Sequence, residues 1–148
     1  MEDESLFAPK LASPSEKTIL IVDDEENIRG LIEMAGKHEG FKVISACDGE
    51  DANAKIASHT PDLIVADLMM PKQGGYEFLR GLHSSGHGRI PVFVITGSSL
   101  DSSTVAMIRQ ERNVVEFFAK PLRLAPFLAL LHQHLKTAPP VRPPEGQR

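Results

Sequence analysis

The chain has 148 residues, which suits one folded domain with short flanking segments. A hydrophobic fraction of 41% is typical of a globular protein, and a net charge of -4 disfavours a protein that wraps nucleic acid. The single cysteine, Cys47, excludes an internal disulfide and favours a reducing compartment, so we expect a cytoplasmic protein. No apolar run approaches the roughly 20 residues that a membrane-spanning helix needs, so no membrane insertion is expected.

The two ends of the chain lack the periodicity of helices or strands. Residues 1–16 combine prolines with serines and acidic side chains, and residues 137–148 contain four prolines. We expect the first segment to be a flexible arm and the second to be a disordered, proline-rich tail. The folded unit is therefore predicted at residues 17–136.

Within this unit, short apolar runs alternate five times with amphipathic stretches. The predicted strands, in chain order, are residues 18–22, 41–46, 63–66, 90–95 and 114–119. The predicted helices follow them and end near Lys37, Ser58, Ser84, Arg112 and Leu135; the fourth begins near Leu100 and the fifth at Leu122. Gly40 is expected to end the first helix, Asp48 to cap the second, and Pro126 to lie in the first turn of the last. The first strand lacks polar alternation, which is typical of a strand buried on both faces. The alternation predicts an α/β fold with a doubly wound, five-stranded parallel sheet and helices on both faces.

Residues that follow the strands are of most interest, because ligands of such sheets bind at the carboxyl ends of the strands. Four predicted strands are followed by polar or charged side chains, namely Asp23 and Asp24, Asp67, Thr96 and Lys120. Three carboxylates at one point repel one another unless a cation lies among them, and oxygen ligands suit Mg²⁺ or Mn²⁺. A lysine and a threonine hydroxyl bind phosphoryl oxygens, and a carboxylate beside them can attack phosphorus to form an acyl phosphate.

Each of these residues also has an ordinary structural explanation. A single aspartate such as Asp67 after a strand is more often part of a turn or a helix cap. Asp23 and Asp24 suit the start of a helix, where negative charge is favoured, and Lys120 suits a solvated loop. Their joint placement at one edge of one sheet favours a phosphoryl-binding site with Asp67 as its nucleophile.

Five short motifs occur in order along the predicted folded unit. They are IVDDE at 21–25, DLMMP at 67–71, GG at 74–75, VITG at 94–97 and FAKP at 118–121. In combination they resemble the receiver domain of response regulators in two-component signal transduction. The resemblance covers residues 17–136 and implies a flavodoxin-like (βα)5 fold with strand order 2-1-3-4-5.

The resemblance also implies a role for each acidic residue. Asp67 would accept a phosphoryl group from a sensor histidine kinase or a phosphotransfer protein. Asp24 would bind Mg²⁺ directly, and Asp23 would assist, often through water. The remaining protein ligand to the metal, beside Asp67 itself, would be the backbone carbonyl of Met69.

A switch is implied as well. Thr96 and Lys120 would hold the phosphoryl oxygens, and Phe117 would turn inward as Thr96 moves toward them. Phenylalanine lacks the hydroxyl of tyrosine, so an outward hydrogen bond cannot stabilise the other rotamer of Phe117. The face formed by the fourth helix, fifth strand and fifth helix would then change its affinity for a downstream protein. The chain is thus expected to be a phosphoacceptor and not a turnover enzyme.

Little sequence follows Lys136, so we expect a stand-alone module without direct nucleic acid binding, whose output runs through protein contacts, phosphate relay or a homodimer. Two other functions stay open. An interaction module that signals without phosphorylation would be expected to lose a member of the site. A phosphohydrolase of the haloacid-dehalogenase type usually needs an aspartate two residues after its nucleophile, where this chain has Met69.

Overall fold

Strands and helices alternate along the computed structural model, which describes residues 10–68, 75–97 and 102–141. The strands are β1 (Thr18–Val22), β2 (Lys42–Ala46), β3 (Leu63–Asp67), β4 (Val92–Thr96) and β5 (Val114–Ala119). The helices are α1 (Glu26–His38), α2 (Gly49–His59), α3 (Gly75–Ser84), α4 (Ser102–Arg109) and α5 (Leu124–Leu135). The strands form one parallel sheet in the order β2-β1-β3-β4-β5. The predicted architecture and strand order are confirmed.

Both faces of the sheet are buried, because successive side chains of a strand point to opposite sides. In β1, Leu20 and Val22 belong to the core on the side of α2, α3 and α4. Ile19 and Ile21 belong to the core on the side of α1 and α5. The apolar run without polar alternation therefore results from helices that cover the sheet on both sides.

Three phenylalanines pack together on the side of α1 and α5. Phe93 of β4 lies 5.4 Å from Phe118 of β5 and 5.9 Å from Phe127 of α5, measured between ring centroids. Phe118 and Phe127 are 5.3 Å apart and meet edge to face at 76°. Phe93 and Phe127 are fully buried. This aromatic cluster fixes α5 against the two strands whose ends carry Thr96 and Lys120.

Three element ends differ from their predicted positions by two or more residues. β4 begins at Val92, later than predicted, because Pro91 has no N–H to donate to the sheet. α4 ends at Arg109, and tighter hydrogen bonds between residues three apart replace its last predicted turn. α5 begins at Leu124, two residues after its predicted start. The predicted start of α4, near Leu100, lies outside the described residues.

Helix-end signals in the sequence are confirmed at three places. The Asp48 side chain accepts a hydrogen bond from the Asp51 N–H at 2.8 Å and caps α2. Pro126 lies in the first turn of α5, where its missing N–H costs nothing. Gly40 follows α1 with a φ of 100°, a left-handed conformation that glycine adopts readily.

The segments on either side of the predicted folded unit are joined by backbone hydrogen bonds. The Ala12 N–H donates to the Lys136 carbonyl at 2.9 Å, and the Ala138 N–H donates to the Ala12 carbonyl at 3.1 Å. Ala12 and Thr137 thereby form a parallel bridge. The two ends of the described chain meet beside the end of α5.

A buried polar trio lies next to this bridge. The His132 ring of α5 is 3.1 Å from the Glu39 carboxylate and 2.8 Å from the Thr137 hydroxyl. All three side chains are buried, and each hydrogen bond satisfies a polar group that would otherwise be costly to bury. The boundaries at 16/17 and 136/137 stay a prediction, to which the structure adds that Thr137 packs onto α5.

Candidate functional site

Four of the predicted site residues lie in a row along one edge of the sheet. Asp23 directly follows β1, Asp67 ends β3, Thr96 ends β4 and Lys120 directly follows β5. These strands are neighbours in that order, and parallel strands end at the same edge. The Lys120 N–H donates to the Thr96 carbonyl at 2.9 Å, and the Lys120–Pro121 peptide bond is cis.

The Lys120 ammonium is the centre of the ionic contacts. Its Nζ lies 2.9 Å from Asp67 Oδ2, 3.0 Å from Glu25 Oε1 and 3.8 Å from Asp23 Oδ2. Burial by itself would lower the pKa of Lys120, but the hydrogen bonds to Asp67 and Glu25 and the surrounding negative charges outweigh burial and raise it. The ammonium therefore stays protonated at neutral pH and partly neutralises the acidic side chains.

Asp23 is held in place by both its backbone and its side chain. Arg29 of α1 donates to the Asp23 carbonyl at 2.8 Å, and the Glu25 N–H donates to Asp23 Oδ1 at 2.9 Å. Burial raises the pKa of Asp23 to about 6; the charge of Asp67 adds to this shift, while the Glu25 N–H and Lys120 oppose it. Asp23 is 1% exposed, and its Oδ2 has no hydrogen-bond partner within the described ranges.

The acidic side chains present fit a divalent cation. One carboxylate oxygen from each of Asp23, Glu25 and Asp67 lies within 4.8 Å of the other two. Oxygen donors are the ligands that Mg²⁺ and Mn²⁺ prefer, and a cation would satisfy the buried Oδ2 of Asp23. Asp24 is exposed and is not one of the three, and Met69 lies outside the described residues. The ligand roles of Asp24 and Met69 stay predictions.

Glu25 also belongs to this group, although the sequence predicts no role for it in the site. It lies just before α1 in an extended conformation, with φ -84° and ψ 113°, and its carboxylate contacts Lys120. The only signal in the sequence was the run of acidic residues after β1, which suits a helix start equally well. The contact with Lys120 joins residues 95 positions apart.

Thr96 and Phe117 lie on the same face of the sheet in neighbouring strands. Phe117 pairs with Val94, two residues before Thr96, so that the two side chains project to one side. The Thr96 hydroxyl donates to the Gly97 carbonyl at 2.9 Å. The Phe117 ring is half-buried, and the guanidinium of Arg109 lies 4.5 Å from its centroid.

Within residues 10–68, 75–97 and 102–141, none of the helices combines the length and the apolar character that a membrane span requires.

Comparison with known proteins identifies the family. A family model of the response regulator receiver domain matches residues 19–132. The regulatory protein VirG of Agrobacterium fabrum is 29% identical over 140 residues, which are 95% of this chain and 54% of that protein. The response regulator MprA of Mycolicibacterium vanbaalenii is 34% identical over 122 residues, which are 82% of this chain and 52% of that protein. The chain thus spans about half the length of these relatives.

Solved structures show the same fold. A response regulator receiver protein from Pseudomonas putida superposes with a TM-score of 0.76 at 24% identity, covering 82% of this chain and 98% of that one. NtrX from Brucella abortus superposes with a TM-score of 0.71 at 28% identity, covering 80% of this chain and 26% of that one. The sheet order, the acidic edge and the family match together establish that this chain belongs to the receiver domain family of two-component response regulators.

Proposed function

We propose that the chain accepts a phosphoryl group on Asp67 from a sensor histidine kinase or a phosphotransfer protein. The observation that carries this proposal is the position of the Asp67 carboxylate, 2.9 Å from the Lys120 ammonium and beside the buried Asp23. Such a site favours binding of a phosphoryl group, because the positive charge of Lys120 already faces the Asp67 carboxylate and would attract the phosphoryl oxygens. The chain acts in the cytoplasm as a phosphoacceptor, and its acyl phosphate is a signal and not the intermediate of a turnover reaction.

The Asp67 carboxylate is the nucleophile. One of its oxygens forms a bond to phosphorus while the bond from phosphorus to the donor's leaving group breaks, which gives an acyl phosphate. Lys120 neutralises charge on the transferred phosphoryl oxygens, since its ammonium already contacts Asp67. Phosphoryl transfer of this kind depends mainly on positioning and charge neutralisation.

A divalent cation, Mg²⁺ or Mn²⁺, supplies further neutralisation of negative charge at this site when it is bound. Asp23 and Asp67 would hold it, together with Asp24 and the backbone carbonyl of Met69 as the family resemblance implies. The observation that supports such a site is the buried Oδ2 of Asp23 beside two further carboxylates.

Phosphorylation changes the packing between β4 and β5. The Thr96 hydroxyl leaves the Gly97 carbonyl for a phosphoryl oxygen, and Phe117 turns inward beside it. The face formed by α4, β5 and α5 then changes its affinity for a downstream protein.

Since the chain spans about half the length of its relatives, stand-alone action, homodimer formation and the lack of direct nucleic acid contact stay predictions.

Incubation with acetyl phosphate and Mg²⁺ is expected to add the mass of one phosphoryl group to the wild-type protein. Asp67→Ala removes the nucleophile and is expected to abolish the addition, whereas Asp51→Ala removes a carboxylate of α2 outside the site and should leave it intact. Intact-protein mass spectrometry with and without EDTA measures this. No addition to the wild-type protein, or equal addition to Asp67→Ala, would contradict the proposal.

A further inference from the structure

The Phe117 ring is covered by a charged side chain of α4. The guanidinium carbon of Arg109 lies 4.5 Å from the ring centroid, within the range of about 6 Å for a cation–π interaction. Arg109 is the last residue of α4, and Phe117 lies in β5. The contact therefore joins two of the three elements of the proposed partner-binding face.

The Phe117 ring packs against the core on one side and borders an open cavity on another. Phe117 is half-buried and packs against the core on the side of α2, α3 and α4. A cavity of about 210 Å³ opens beside it, lined by Arg109 and by residues 114–117 of β5. Glu116 hydrogen-bonds to His134 of α5 at 3.0 Å, so its carboxylate already has a partner on the other side of β5. Because phenylalanine has no hydroxyl, only contacts with the ring itself can hold it outward.

We propose that Arg109 is a positioning residue of the switch and holds Phe117 on the outer side of β5 before phosphorylation. This inference rests on the proposed function, since it needs Thr96 and Phe117 to respond to a phosphoryl group on Asp67. The Thr96 hydroxyl donates to the Gly97 carbonyl, which is the arrangement that the proposed switch assigns to the unphosphorylated protein. The cation–π contact takes the place of the hydrogen bond that a tyrosine at this position would make.

Loss of the Arg109–Phe117 contact shifts the equilibrium of Phe117 toward its inward state, without any change in the phosphorylation site. When Phe117 is no longer held outward, the inward state is populated more often, and the inward state is the one that phosphorylation favours. The inward state is the one that accepts the phosphoryl group, so the rate of phosphorylation rises in proportion to the population of that state. Cation–π contacts of exposed side chains correspond to an effect of about two- to fivefold.

The test compares phosphorylation rates by acetyl phosphate and Mg²⁺, followed over time by intact mass. Arg109→Ala is expected to be phosphorylated about two- to fivefold faster than wild type. Arg112→Ala removes the same charge from the exposed turn after α4 and should match wild type. In a Phe117→Leu background, Arg109→Ala should have no further effect. Unchanged rates in Arg109→Ala, equal acceleration by Arg112→Ala, or an undiminished Arg109 effect without Phe117 would overturn the inference.

The contact can be measured without phosphorylation. Side-chain protons of Arg109 above the ring should resonate upfield in the NMR spectrum of the wild-type protein and lose this shift in Phe117→Leu. A missing upfield shift overturns the inference even where phosphorylation of Asp67 proceeds. A wild-type protein that takes no phosphoryl group overturns the proposed function and with it the switching role, whereas the upfield shift still reports the Arg109–Phe117 contact.

Discussion

Asp23→Asn is expected to be more stable than the wild-type protein by up to about 3 kcal/mol in metal-free buffer at neutral pH. Burial raises the pKa of Asp23 from 3.8 to about 6, with the charge of Asp67 adding to the shift and the Glu25 N–H and Lys120 opposing it. A raised pKa means that the folded protein binds this proton more tightly than the unfolded chain. The stabilisation that the protonated Asp23 gives to the folded state is therefore fully present below about pH 4, and it is lost as the pH rises through about 6.

Chemical denaturation in EDTA on both sides of pH 6 measures the effect of Asp23→Asn. The difference in free energy of unfolding between Asp23→Asn and wild type should be largest above pH 6. It should shrink below pH 6, because protonation also removes the charge of Asp23 in the wild type. Asp24→Asn, at the exposed neighbouring residue, is the matched control and should change the free energy of unfolding little. Added Mg²⁺ should stabilise the wild type more than Asp23→Asn. An advantage independent of pH, or an equal gain in Asp24→Asn, would show that charge burial at Asp23 is not its cause.

Phe93→Ala is expected to lower the free energy of unfolding by about 3–5 kcal/mol. The ring is fully buried and contacts Phe118 and Phe127, so its removal leaves a cavity between β4, β5 and α5. Native domains are stable by about 5–15 kcal/mol, so this single change removes a large part of the total. Urea denaturation, followed by circular dichroism, measures the loss.

Phe117→Leu is the control for Phe93→Ala. Its ring is half-buried on the opposite side of the sheet and lies outside the Phe93, Phe118 and Phe127 cluster, so a much smaller loss of stability is expected. Equal losses in the two variants would mean that the aromatic cluster does not hold α5 to the sheet. Retained phosphorylation of Asp67 in folded Phe93→Ala would show that the cluster supports the site only through stability.

The fold and the row of site residues were predictable because both follow from local pattern. An apolar run such as β1, without polar alternation, requires cover on both faces, and five β–α repeats leave few arrangements of the sheet. Parallel strands all end at one edge, so residues that end or directly follow strands are brought together whatever their separation along the chain. Asp23, Asp67, Thr96 and Lys120 could be placed on one edge for this reason.

What could not be predicted depends on side-chain direction and on contacts without a local pattern. From the sequence, Glu25 is equally well explained as part of a helix start. Its contact with Lys120 exists only in the folded chain. Arg109 lies over Phe117 because α4 ends at that residue, and helix ends are poorly defined by periodicity. The bridge between Ala12 and Thr137 joins two segments whose composition favours disorder.

Because Ala12 bridges to the segment after α5, both ends of the folded unit leave the molecule at one corner. That corner lies near the amino ends of the strands, where β1 begins and α5 finishes. Asp67 is at the opposite edge, at the far end of β3, which rises about 13 Å from its first residue to its last. A partner domain or reporter joined through either end would therefore be attached at the edge of the sheet opposite to the phosphorylation site.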